Sequence, residues 1–185
     1  MLRLRVGVIG VLSVVAVMLP PAALGEERSC RGTLGRVSVD NLRVPQGAKC
    51  QLNGTRLNGT IIVQRGAVLV ANGVRVNGNI HGENARNVIV RRSRVGGSIQ
   101  VKQGGGATVS GTRVNHDIQF DANRRLVRAH RNRVGGSIQV VGNSGGASLL
   151  RNVVNGNIDC KENRPAPTGG RNVAGESKTD QCSRL

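Results

Sequence analysis

VGGSIQV occupies residues 95–101 and returns unchanged at 134–140. Four looser copies stand in the same frame: LNGTIIV from Leu57, VNGNIHG from Val76, VNHDIQF from Val114 and VNGNIDC from Val154. The six starting residues are spaced 19, 19, 19, 20 and 20 apart, and a fainter VAGESKT begins at Val173. A short fixed period is the mark of stacked repeats. Apolar and polar residues alternate inside each copy, as a strand with one buried face requires, and the repeats lack the apolar spacing of a helix.

The frame turns the chain into columns of like residues. Leu57, Val76, Val95, Val114, Val134, Val154 and Val173 form one, and Leu42, Ile61, Ile80, Ile99, Ile118, Ile138 and Ile158 a second. A third holds Val44, Val63, Gly82, Val101, Phe120, Val140 and Cys160. Two more run from Cys50 to Ala147 and from Leu52 to Leu149. Strands this short, joined at corners, stack directly on their predecessors at about 4.8 Å per coil. Gly and Asn clusters such as 104–106 and 143–146 supply the corners, since both residues tolerate left-handed backbone. The expectation is an all-β chain, a single right-handed parallel β-helix of about seven coils of 19–20 residues. It divides into a leader at 1–25, an N-terminal cap at 26–41, the solenoid at 42–173 and a C-terminal cap tail at 174–185.

The VxGxIxV repeats, with G-A-x-L-x-A between them, resemble secreted bacterial β-helix proteins and, more distantly, polymer-forming solenoids of the bactofilin type. The resemblance covers roughly residues 37–173 and implies a fold without implying a function, because such coils carry adhesins, lyases, acyltransferases and filament formers alike. The leader and the cysteines depart from the cytoskeletal bactofilin pattern.

The leader reads as a signal peptide. Arg3 and Arg5 precede an apolar run at 6–19, followed by PPAALG. That run is shorter than the roughly 20 residues needed to span a bilayer, so no transmembrane segment is expected in the mature chain. Cleavage is expected after Gly25, giving a secreted, extracellular or envelope protein. The whole chain carries 27 Lys and Arg against 10 Asp and Glu. Anionic partners follow from that excess, an envelope polymer or acidic polysaccharide foremost. There is no Trp or Tyr and one Phe, which disfavours nucleic acid, since single-strand recognition uses aromatic platforms.

Four cysteines allow three pairings. Cys30 lies 20 residues before Cys50, and Cys182 lies 22 after Cys160, about one coil in each case. Cys50 and Cys160 would be five coils apart, about 24 Å, beyond the roughly 7 Å disulfide limit. The frame therefore pairs Cys30 with Cys50 and Cys160 with Cys182, pinning both ends of the solenoid. No CxxC or CxxH spacing supports a metal site, and no cofactor is expected.

One polar column stands out. Arg56, Arg75, Arg94, Arg113 and Arg133 each precede a residue of the Val column and should project in line. Guanidinium groups match carboxylate and phosphate in bidentate fashion, so the column is a candidate anion-binding stripe, broadened by Arg91, Arg92, Arg128, Arg131 and Arg151. The competing reading has these side chains splayed into solvent or paired with Glu83, Asp117 or Asp121. Carboxylate chemistry has one sparse candidate, Asp117 and Asp121 beside His116, with His130 on the next coil. His116 interrupts the column Gly59, Gly78, Gly97, Gly136, Gly156 and Gly175. No nucleophile, metalloprotease or phosphate-loop motif is present, and no catalytic residue is assigned. The expected role is a non-enzymatic structural or surface component able to self-associate. A polyanion-binding module is the alternative, and a carbohydrate-active lyase or hydrolase ranks behind both.

Overall fold

In the computed structural model, residues 26–185 are described, and the signal-peptide reading of 1–25 lies outside them. The chain is a parallel β-solenoid with three sheets running its length. Sheet A has nine strands, from Glu27–Ser29 to Lys178–Asp180. Sheet B has eight, from Gly32–Leu34 to Thr168–Gly170, and sheet C eight, from Ser38–Val39 to Val173–Ala174. Each coil visits A, B and C in turn. We call the A–B corner the first, the B–C corner the second and the C–A corner the third.

The columns stack as the period requires. Ile61 pairs with Leu42 and Ile80, Val95 with Val76 and Val114, and Val109 with Val90 and Ala129. Every member of the Leu42–Ile158 column is at most 1 % exposed, and burying each contributes about 1.5–3 kcal/mol. Gly82 belongs in this packing because a Cβ there would lie 2.9 Å from Val88 Cγ2.

The solenoid has about eight turns rather than seven. The extra coil is the cap segment itself. Glu27–Ser29 pairs with Asn41–Val44, Gly32–Leu34 with Lys49–Asn53, and Ser38–Val39 with Arg56–Leu57. Its residues break the columns, with Arg28 opposite Leu42 and Gly32 opposite Cys50. An end coil has no neighbour on one side, so less of it must be apolar. The last repeat also shifts by one. Val153 pairs with Val173 and Val154 with Ala174, so Ala174 continues the Val column and Val173 points outward at 59 % exposure. Glu176, not Gly175, follows Gly156, its N–H donating to the Gly156 carbonyl.

Both predicted disulfides are present, with Cα–Cα distances of 5.6 Å for Cys30–Cys50 and 5.3 Å for Cys160–Cys182. They run diagonally. Cys50 faces Gly32 and Cys160 faces Asp180, each two residues from the bridging cysteine. All four cysteines are buried.

The asparagines differ most from expectation. Asn123, Asn143 and Asn163 form one buried row at the first corner, and Asn132, Asn152 and Asn172 another at the second. Each turns its amide inward. Asn143 Nδ2 donates to Asn163 Oδ1 at 2.9 Å and to the Phe120 carbonyl at 2.8 Å, while its own Oδ1 accepts from Asn123 N and Nδ2. Asn152 repeats this with Asn172, the Ala129 carbonyl and Asn132. Gln181 ends the first row by accepting from Asn163. The left-handed residues are the ones just before, among them Ala122, Gly142 and Glu162 at the first corner and Arg131, Arg151 and Arg171 at the second. Buried amides thus satisfy corner backbone groups that would otherwise be orphaned.

Candidate anion-binding face

Sheet C places the predicted arginine column. Arg56, Arg75, Arg94, Arg113 and Arg133 are in consecutive strand register, with Ser38 below the column and Val153 above it. All five are exposed, and the next residue of each strand is buried. At about 4.8 Å, two unit charges in water repel by roughly 0.9 kcal/mol before screening, a small penalty per step. Of the two arms of the competing reading, the side chains are exposed to solvent, and none pairs with Glu83, Asp117 or Asp121 among the described residues. The ion pairs among the described residues are Arg43 with Glu27, Lys102 with Asp121 and Lys161 with Asp180, and none includes a ladder arginine.

The second corner adds a parallel row. Arg92, Arg131, Arg151 and Arg171 all hold left-handed backbone, with φ from 47° to 55°. Gly54, Gly73 and Gly111 fill the equivalent corner in other coils. A side chain with a Cβ costs roughly 1–2 kcal/mol in that conformation, and at the first corner the residues that accept it are mixed: Asn84, Gln103, Ala122 and Glu162. At the second corner every non-glycine is an arginine.

Charge is divided accordingly. Sheets B and C with the corner between them carry the five ladder arginines, the four corner arginines, Arg36, Arg91, Arg128 and Lys49. None of the protein's 10 acidic residues lies there; all sit on sheet A or its flanking corners. Such one-sided fields concentrate anions along a surface.

A groove of about 790 Å³ opens on this face over the early coils. Arg36, Arg56, Arg75 and Arg92 line it together with Asn53, Asn72 and the glycine corners Gly54 and Gly73. Gly54 leaves room for Arg36, whose Cγ would be 3.0 Å from a Cβ there. Asn72 Nδ2 donates to Asn53 Oδ1 at 3.3 Å along the groove wall. Sequence reading passed over Arg36, which lies 18 residues before Gly54 in the irregular first coil, and Arg171. The signal for Arg171 was available in its spacing of 20 from Arg151.

His130 borders the same face, its Nε2 3.0 Å from Ser148 Oγ. Burial, and then the positive charges of Arg128 and Arg131, hold its imidazole below the ordinary histidine pKa. The other groups considered for carboxylate chemistry are dispersed. Asp117 is a link in a third-corner chain, its Oδ1 accepting from Ser137 N at 2.7 Å and its own N–H donating to Ser98 Oγ. Asp121 pairs with Lys102 at 3.4 Å. His116 is exposed at the third corner, and His81 Nδ1 meets Gln100 Oε1 on sheet A, so neither faces His130. Among the described residues no group of three or more His, Cys, Asp or Glu could hold a metal ion.

No family model, curated protein or solved structure matches the chain. The arrangement of its own residues is what bears on its role. Two disulfides with buried sulfurs fit an oxidising, extracellular environment. Among the described residues no helix is long and apolar enough to cross a membrane.

Proposed function

We propose that this protein is exported through its leader and serves the cell envelope or extracellular matrix as a non-enzymatic solenoid that holds an extended anionic polymer along its arginine face. The observation that carries this reading is the division of charge: sheets B and C with their shared corner bear cations and no carboxylate, and the ladder guanidinium groups have no acidic partner among the described residues. A polymer with a carboxylate, sulfate or phosphate on successive units suits such a row, because Arg binds these groups through paired N–H donors. An acidic glycan fits better than single-stranded nucleic acid. Phe120, the one aromatic side chain, is 1 % exposed and offers no stacking platform.

Retention on heparin tests the reading. Each cation that displaces a counterion contributes about 0.7–0.9 to the slope of log K against log salt. Replacing Arg75, Arg94 and Arg113 by Ser should move elution to lower salt and flatten that slope by about 2–3. Unchanged elution and slope would remove the ladder from the binding surface.

A further inference from the structure

A second concentration of unpaired arginine lies away from the ladder. At the first corner, Arg65, Arg86, Arg124 and Arg125 line a groove of about 560 Å³ whose remaining wall is Gly66, Asn84, Ala85 and Gln103 to Gly105. No carboxylate lines it, and none of the four arginines is in an ion pair among the described residues.

The floor has a structural cause. Arg86 N–H donates to the Ala67 carbonyl, Gly105 N–H to the Ala85 carbonyl and Arg124 N–H to the Gly104 carbonyl, which stacks four successive coils. Gly105 is forced by this close approach, since a Cβ there would lie 2.1 Å from the Arg86 carbonyl oxygen. At the step between Arg86 and Arg124, Gly105 therefore contributes no side chain, and Gln103 of the same coil lines the wall beside it. The two arginines stand two coils apart, about 9.6 Å at the ladder spacing, with a bare glycine step between them. That is an open cleft with cations on both rims.

This groove and the ladder groove flank the same sheet. Down the centre of sheet B between them, Gln51, Val70, Ile89 and Thr108 stack in register as a half-buried, neutral strip, with Lys49 and Arg91 exposed at the ends of their strands and Arg128 continuing the column in the next coil. Crossing from corner to corner takes about six residues of strand, roughly 20 Å. The Debye length at physiological salt is about 8 Å, so charge bound at one corner is largely screened from the other.

We infer that the rod is ditopic: the first-corner groove is a second anion site, for the same class of carboxylate-, sulfate- or phosphate-bearing polymer, and one molecule bridges two polymer strands. The inference rests on the ladder reading above, and the neutral strip is what separates the two sites. It makes the protein a cross-linker and not merely a coat.

A sandwich assay tests it with the mature protein. Heparin fixed to a surface captures the protein, and fluorescent heparin is then offered in solution. The wild type should retain the second heparin. Arg65→Gln/Arg86→Gln/Arg125→Gln, which keeps the aliphatic stems, should still bind the surface but lose second capture by roughly tenfold, the equivalent of about 1.4 kcal/mol. Arg43→Gln/Lys102→Gln/Lys161→Gln removes the same charge outside both grooves and should leave second capture intact. First capture without second in the wild type overturns the ditopic inference alone, as does second capture unaffected by the groove variant or equally weakened by the control. Failure of first capture in the wild type overturns the ladder reading as well.

Discussion

The early and late coils of the solenoid solve one problem by different means. Up to Val114 a coil takes 19 residues; beyond it a coil takes 20, and the added residue sits at the first corner, where Asp121 to Val127 replaces the shorter Lys102 to Ala107. In the early coils the inward corner positions are Ala67, Ala85 and Gly104 at the first corner, and Thr55, Val74, Ser93 and Thr112 at the second. There the coils close up on small residues, with Ser93 Oγ accepting from Val74 N at 3.1 Å. In the late coils both corners hold asparagine rows. A small side chain lets neighbouring backbones meet directly, whereas a wider corner needs an amide to fill it and answer the freed N–H and C=O groups.

The largest expected effect strikes the late half. Asn152→Ala would orphan Asn132 N–H, take the side-chain donor from the Ala129 carbonyl and cut the row in two, and each buried group left unsatisfied costs about 1–3 kcal/mol. Urea unfolding should show a loss of about 3–4 kcal/mol. Ser93→Ala, at the same corner of the early half, should lose only about 1 kcal/mol. Equal losses would mean that the two halves do not differ in the way described.

The disulfides come next. Each closes a loop of 20 or 22 residues, so replacing either pair by Ala should lower stability by about 3 kcal/mol. Hydrogen exchange sharpens the comparison. Loss of Cys30–Cys50 should free amides of the first coil, and loss of Cys160–Cys182 those of the last, with the middle coils protected in both.

The left-handed corner gives a smaller effect of opposite sign. Arg131→Gly, Arg151→Gly and Arg171→Gly adopt the residue that the early coils use at Gly54 and Gly73. Each should stabilise by up to about 1 kcal/mol in thermal unfolding, the strain relieved exceeding the added chain entropy. The triple variant should meanwhile elute from heparin at lower salt. A protein that is neither more stable nor more weakly retained would detach these arginines from the binding face.

The smallest effect concerns pH. The depressed His130 pKa means the unfolded chain binds more protons than the native one between the folded value and the ordinary one near 6.5. Its contribution is complete above the ordinary pKa and is lost as pH falls toward the folded one. Bound polyanion offsets Arg128 and Arg131, so NMR titration should find the imidazole pKa higher with heparin than without. No change would place the polymer away from this edge.

The columns were legible because period-two alternation tells inward from outward at every Ile and Val, and the arginine ladder was legible because it abuts them. The cysteine pairing followed from the same frame. The asparagine rows were not legible: Asn beside Gly is the usual sign of a turn, and only the fold shows that Asn143 and Asn152 turn inward while their predecessors take the left-handed backbone. Val173 was misplaced for a related reason. A spacing of 19 from Val154 looks natural beside the earlier repeats, but the wider late corner makes it 20. The first-corner groove escaped notice because Gly105 interrupts the 19-residue spacing from Arg86 to Arg124, and Arg65 lies 21 residues before Arg86, out of step with both.

The interior rows also set how such a molecule can change size. Each asparagine reads the residue one coil on, so an insertion of arbitrary length would leave amides facing the wrong neighbours. Duplicating one 20-residue coil, such as 134–153, keeps every column and both rows in step and lengthens the rod by about 4.8 Å. The architecture therefore grows in whole coils, like a ruler marked in a single unit, and with a duplicated coil of this kind it gains a corner arginine and a longer reach.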